Sequence, residues 1–241
     1  KSIFVSAYTT APLAAAADYV LQGKEKALQA AVTALGKLTP GDVHISIGKN
    51  GTSPMAQLSG VKIHKVSGPH PAGLVGTQIN KIDPINKGEL VWTLSPQDLV
   101  IRGECLLSGI FNPERLIALV GSAVKNPKYF TTKIGAEIAT FLYGSGVNIK
   151  RFRVINGNVL TGLRNKQDGH LGFYNNTVSC IPEGDDYEFF GWNKPIFNKV
   201  SATRALTFSW MQPKKKFDLD TNTNGEHRAF VVTGMYEKVF P

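Results

Sequence analysis

The opening of the chain narrows the choice of fold more than any other stretch. Residues 2–8, Ser2-Ile3-Phe4-Val5-Ser6-Ala7-Tyr8, alternate and are rich in β-branched and aromatic side chains, which predicts a strand. Thr9 to Leu13 form a loop, and an alanine-rich segment runs on to about Leu38. Its apolar residues Val20, Leu21, Leu28, Ala31, Val32, Leu35 and Leu38 recur at helical spacing, and Thr39-Pro40-Gly41 ends it. Asp42-Val43-His44-Ile45-Ser46-Ile47 then reads as a second strand. A strand, a crossover helix and another strand make the unit of a parallel sheet.

Two more strands follow, Val61 to Val66 and Leu90 to Leu94, and then a helix opened by Ser95-Pro96-Gln97-Asp98. That tetrad supplies a capping hydroxyl, proline at the first helical position and an early acid. Residues 1–108 are therefore expected to form an open α/β layer. The loops at its strand carboxyl ends, Thr9 to Leu13, Gly48 to Pro54 and Gly68 to Thr77, are expected to line one crevice. Gly68-Pro69-His70-Pro71-Ala72-Gly73-Leu74-Val75-Gly76-Thr77 is stiff, since proline fixes φ, and it has little side-chain bulk.

From Gly109 the rhythm changes to short strands and turns. Arg115 to Val120, Tyr129 to Ile134, a short helix around Glu137 to Tyr143, and Arg151 to Ile155 predict a helix lying on a small mixed sheet, a β-grasp-like module over residues 109–207. Phe173-Tyr174, Thr177 to Ile181 and Glu188-Phe189-Phe190 read as hairpin material appended to it. Tyr187, Phe189, Phe190 and Trp192 mark a core under that hairpin or a partner surface.

Composition removes several function classes. No apolar run approaches the roughly 20 residues of a membrane-spanning helix. The two cysteines, Cys105 and Cys180, have no Cys-x-x-Cys spacing, which argues against a zinc or iron–sulfur site here and reads as two buried thiols in a reducing compartment. The net charge of +9 is spread, with 10 basic and 7 acidic residues in 1–108 and 17 and 11 in 109–241. Lys214-Lys215-Lys216 lacks interleaved aromatics and reads as a solvated turn, so no nucleic-acid partner is expected. No dinucleotide fingerprint follows the first strand, where Thr9-Thr10-Ala11-Pro12 stands, and no Walker lysine, His-Glu-x-x-His or Gly-x-Ser-x-Gly occurs. Of the five histidines, His44 and His64 sit in predicted strands, and no pair has a local metal spacing. His70, between two prolines, faces a crevice or is bonded to a neighbouring carbonyl that fixes its loop.

Several segments together carry a resemblance. They are Ile3-Phe4-Val5-Ser6-Ala7 with Ala11-Pro12-Leu13-Ala14, Gly68-Pro69-His70-Pro71-Ala72-Gly73-Leu74, and Asn156-Gly157-Asn158-Val159-Leu160-Thr161-Gly162. Phe190-Gly191-Trp192, Phe197 to Arg204, Asn224-Gly225 and Arg228 through Tyr236-Glu237 follow in order. The chain resembles the central part of the A-subunit family of bacterial sodium-translocating NADH:quinone reductases. The resemblance implies a longer parent, with a segment before Lys1 and a helical part after Pro241 that residues 208–241 connect to. It also implies a Rossmann-like layer and a ubiquitin-like module of the SLBB type, as in the flavin-bearing subunit of respiratory complex I and the C subunit of Rnf. The glycine-rich flavin cradle of those relatives is missing, so no cofactor, metal or catalytic residue is expected in this fragment, while the complex uses NADH, flavins, iron–sulfur centres and quinone.

By the same resemblance the chain is peripheral, on the cytoplasmic side of the bacterial inner membrane. Its expected partners are the other members of a six-subunit complex, especially an integral-membrane subunit, and quinone. A quinone site here is expected to use His70 and Gln78 as polar groups and Leu74, Val75 and Ile79 as the apolar wall. The alternatives are a flavin-binding electron-transfer subunit like those of Rnf or complex I, and a small-ligand-binding SLBB module.

Overall fold

The computed structural model describes residues 1–50, 52–147, 151–184, 189, 197, 208–216, 218 and 220–222. Four parallel strands, β1 (Ile3–Ser6), β2 (Val43–Gly48), β3 (Lys62–Val66) and β4 (Trp92–Leu94), form a sheet in the order β3-β2-β1-β4. The inner strands β1 and β2 are apolar and buried, while the edge strands β3 and β4 carry exposed residues such as Lys62, Lys65 and Trp92. This is the pattern of a parallel sheet covered on both faces. Ile3 and Val5 join Ile45, Leu28, Val32 and Leu99 in one core, and Phe4, pointing the other way, stacks on His44 with ring centroids 4.6 Å apart.

The alanine-rich segment, expected as one helix, is two: α1 (Ala17–Val20) and α2 (Glu25–Leu38). Gly23 separates them at φ +72°, a conformation that ends a right-handed helix. Beyond the break, Ala27, Leu28, Ala31, Val32 and Leu35 of α2 are buried, the i, i+3, i+4 stripe of an amphipathic helix. The residues after Leu74, expected as loop to Thr77, begin α3 (Val75–Ile82) instead. Across from α2 runs α4 (Pro96–Ser108), whose Ser95 Oγ accepts from the Asp98 amide at 3.2 Å. The two helices touch backbone to backbone at Gly103, where a Cβ would come within 1.9 Å of the Ala27 carbonyl oxygen.

The second sheet holds β5 (Glu114–Val120), β6 (Lys128–Lys133), β7 (Phe152–Asn156), β8 (Leu163–Asn165) and β9 (Thr177–Pro182), in the order β6-β5-β9-β7-β8. Counting within this sheet, the first and last strands are parallel neighbours flanked by antiparallel ones, and the one-turn helix α5 (Ala139–Leu142) lies between the second and third. This is the β-grasp arrangement expected. Thr177 to Ile181, expected as appended hairpin material, is instead the module's central strand, buried along that length and bonded on both sides. Glu188, Phe190, Tyr187 and Trp192 lie outside the described residues, and Lys214 to Lys216 are exposed beside a turn.

The two sheets are joined through α4. Gln97 Nε2 donates to the Leu116 carbonyl at 2.6 Å, and Asp98 pairs with the fully buried Arg115 of β5. A second tie lies at α1, where the Ala16 amide donates to Tyr129 Oη at 2.9 Å and the Tyr19 and Tyr129 rings meet at 4.8 Å.

Candidate functional site: the cleft at the strand switch point

Strands β2 and β3 lie on one side of β1 and β4 on the other. The chain therefore leaves neighbouring strands in opposite directions between β1 and β4, and a crevice opens beyond their carboxyl ends. A cleft of about 810 Å³ occupies that place. Ser6, Tyr8, Thr9 and Ala11 line it from the end of β1, and Leu94, Ser95 and Asp98 from the end of β4. Gly73, Leu74 and Val75 wall it from the loop before α3, and Asn158 and Tyr174 of the second module close it on the far side. A second cavity of about 460 Å³ shares Leu35, Leu38, Asp98 and Arg102 with the cleft and continues past Cys105 to Phe111, Ile134 and Phe173.

The glycine- and proline-rich loop is held in place by the loop after β1. Thr10 Oγ1 accepts from the Gly73 amide at 3.0 Å and lies 3.0 Å from His70 Nδ1, while Tyr8 Oη donates to the Gly68 carbonyl at 3.0 Å. Glycine is required at 73, because a Cβ there would sit 2.2 Å from the Thr10 nitrogen. Of the residues the sequence pointed to, Leu74 and Val75 line the cleft. His70 is exposed and faces Thr10 rather than the cleft wall. Gln78 and Ile79 are buried beneath the loop, where Gln78 Nε2 donates to the Ala72 carbonyl at 3.1 Å and its Oε1 has no partner among the described residues.

Gly48 to Pro54, expected at the crevice, do not line it, and Val91 to Ser95, Asp98, Arg102, Asn158 and Tyr174 do. These were missed because β2, not β1, precedes the former, and the switch point lies only where β4 pairs with β1. The local pattern of a strand does not say which neighbour it takes.

The charged side chains at the cleft are Asp98 and Arg102 among the described residues. Two helices turn their N-termini to it: α4, whose first turn holds the Asp98 carboxylate, bonded to Ser95 Oγ at 2.6 Å and paired with Arg115, and α3, whose cap residue Leu74 and first residue Val75 line the cleft with no acid in that turn. At α4 an anion would meet that carboxylate instead of free amides. Among the described residues Arg102 is the cation lining the cleft, and its Nη1 donates to the Asp98 carbonyl at 2.9 Å. The turn after β1 carries Tyr8, Thr9, Thr10 and Ala11 where a dinucleotide or flavin cradle needs glycine. The glycine-rich turn that cradles a phosphate in such sites is absent after β1. What the lining residues offer is an apolar seat with hydroxyl groups at its edge, suited to a neutral ring.

Two further groups lie away from the cleft. His44 and His64 are apart in sequence, but the parallel register of β2 and β3 brings His44 Nδ1 within 3.0 Å of His64 Nε2. Burial pushes both imidazoles below the usual histidine range, and each is lowered further by a neighbouring positive charge, His64 for the first and Lys62 for the second. Cys180, buried in β9, has its thiol pushed up to about 12 by burial, whereas Cys105 is half-buried rather than buried as expected. Among the described residues, no group of three or more His, Cys, Asp or Glu side chains could hold a metal ion, and no helix is long and apolar enough to cross a membrane.

Comparison with known proteins places the chain. A family model described as the NqrA second alpha/beta domain matches residues 1–111, and one described as the NQRA C-terminal domain, of SLBB type, matches residues 116–167. The chain belongs to the A-subunit family of the Na⁺-translocating NADH-quinone reductases. The family member from Rhodopirellula baltica is 40% identical over 241 residues, covering 100% of this chain and 53% of the relative. Those from Haemophilus influenzae and Neisseria meningitidis are 39% and 36% identical, each over 100% of this chain and 54% of the relative. The chain thus spans about half the length of these relatives. Among solved structures, the NAD⁺-reducing [NiFe]-hydrogenase in its air-oxidized state matches with a TM-score of 0.55 at 15% identity, over 76% of this chain and 40% of that one. At that identity the likeness is one of fold.

Proposed function

We propose that this chain is the central part of a peripheral subunit of a sodium-pumping NADH:quinone reductase, and that it supports quinone reduction without a cofactor of its own. The observation that carries the reading is the switch-point cleft: it keeps the position of a nucleotide site but has Asp98 in the first turn of α4 and an apolar wall of Leu74, Val75 and Leu94. A quinone head group suits such a seat, with the Thr9 hydroxyl at its edge as a donor to one of its carbonyls. The subunit docks from the cytoplasmic side on the integral-membrane subunits, which with the remaining subunits hold the flavins and iron–sulfur centres. Alone, the fragment is inactive.

Reconstituting the complex with and without the full-length subunit tests this. Omission abolishes sodium-coupled quinone reduction, and unchanged turnover would refute the role. The flavin-bearing alternative predicts a coloured protein that releases flavin on denaturation, whereas a chain without its own cofactor is colourless.

A further inference from the structure

Beside the switch-point cleft, and sharing Thr9, Asn158 and Tyr174 with it, lies a separate notch of about 270 Å³. Its walls are the turn after β7, the turn before β9 and the start of the chain's first crossover at Ala14 and Ala15. Its chemistry differs from the cleft's: Asn156, Asn158, Asn175, Asn176, Thr161 and Thr177 line it, and no charged side chain among the described residues does.

Some of these polar groups are spent on the protein itself. Asn158 Oδ1 accepts from the Leu160 and Thr161 amides at 2.9 and 3.0 Å, and its Nδ2 donates to Thr161 Oγ1 at 3.0 Å, which stiffens the turn. Others are not. Asn156 Nδ2 donates to the His170 carbonyl at 3.0 Å, but its Oδ1 is buried with no partner among the described residues. Asn176 Oδ1 accepts from Thr177 Oγ1 at 3.2 Å, leaving its Nδ2 free to donate. Among the described residues the Asn175 carboxamide makes no side-chain hydrogen bond. Tyr174, 67% exposed, stands at the mouth with its ring available for stacking.

We propose that this notch binds a neutral polyhydroxylated group, one sugar ring in size. The Asn175 carboxamide, acceptor and donor, and the Asn176 Nδ2 donor line one small space. A hydroxyl both donates and accepts, so adjacent hydroxyls satisfy such a set, whereas a phosphate or carboxylate would find no cation. The exposed Tyr174 ring supplies the flat face against which the C–H side of a sugar packs. Binding here is independent of whether the neighbouring cleft takes quinone.

Saturation-transfer NMR on the full chain, with D-ribose, nicotinamide and inorganic phosphate as probes, tests the proposal. Ribose receives saturation and binds in the millimolar range, and phosphate does not compete. Asn175→Leu weakens ribose binding at least tenfold while the melting temperature stays within a few degrees. If that variant does not fold, Tyr174→Ala, at an exposed position, must still weaken ribose binding severalfold. The proposal is overturned if ribose receives no saturation, if it binds both variants as it binds the unaltered chain, or if nicotinamide or phosphate binds in its place.

Discussion

Replacing Asp98 by alanine removes the partner of a guanidinium that has nowhere else to go. Arg115 is fully buried, its Nη2 pairs with Asp98, and its Nε and Nη1 have no partner among the described residues. Deleting one member of a buried pair costs about 3–5 kcal/mol, because the remaining charge stays desolvated. Asp98 also bonds Ser95 Oγ at the start of α4, so part of an N-terminal cap worth about 1 kcal/mol is at risk as well. A loss of about 4 kcal/mol corresponds to a fall in melting temperature of roughly 10 °C for a chain of this length. The cost arises from stranding Arg115, so Asp98→Ala with Arg115→Met should recover most of it. Guanidinium chloride denaturation of the single and double variants, read as a double-mutant cycle, measures this. A single variant within about 1 kcal/mol of the unaltered chain, or a double variant that loses the sum of the two singles, would refute the reasoning.

Three further outcomes follow from the cysteines and the paired histidines. Cys105 reacts with a thiol reagent in the folded chain at neutral pH, while Cys180 reacts only on unfolding; equal labelling rates would contradict its burial. Because Cys180 holds its proton in the fold to about 12 and the ordinary thiol value is 9.0, the unfolded state loses that proton first, and stability falls by up to about 1.4 kcal/mol per pH unit between those values. Stability compared with a Cys180→Ala variant across that range checks it. His44 and His64 titrate below 6.5 by NMR, so the unfolded chain binds more protons below that pH and their contribution to stability declines as the solution is acidified; midpoints above 6.5 would contradict the pair's burial.

The parts of the fold that could be read from sequence are those governed by neighbours in the chain. Strands β1 and β2 show themselves by β-branched runs, and α4 by Ser95, Pro96 and Asp98, because caps and alternation act locally. The helix α3 was hidden by the glycines around it, although Val75, Gln78, Ile79 and Ile82 stand at helical spacing and would have revealed it. The place of β9 could not be read: Thr177 to Ile181 is buried because it pairs with both β5 and β7, and pairing over such separations leaves no local mark. The same holds for the site. Leu74 and Val75 were found through their stiff loop, whereas Asp98 reaches the cleft because β4 pairs with β1, and Asn158 and Tyr174 because the second module lies beside the first. His44 and His64 meet through register alone.

The cleft's part in quinone reduction is tested most directly by filling it. Val75 is half-buried at the start of α3 and lines the cleft, so Val75→Trp, placed in the full-length subunit of the assembled complex, narrows the cleft without touching the sheet core. The KM for quinone should rise at least about fivefold, the effect of losing roughly 1 kcal/mol of binding, with NADH oxidation by an artificial acceptor unchanged and the variant's melting temperature preserved. An unchanged quinone KM in a folded, assembled variant would contradict a quinone seat at this switch point.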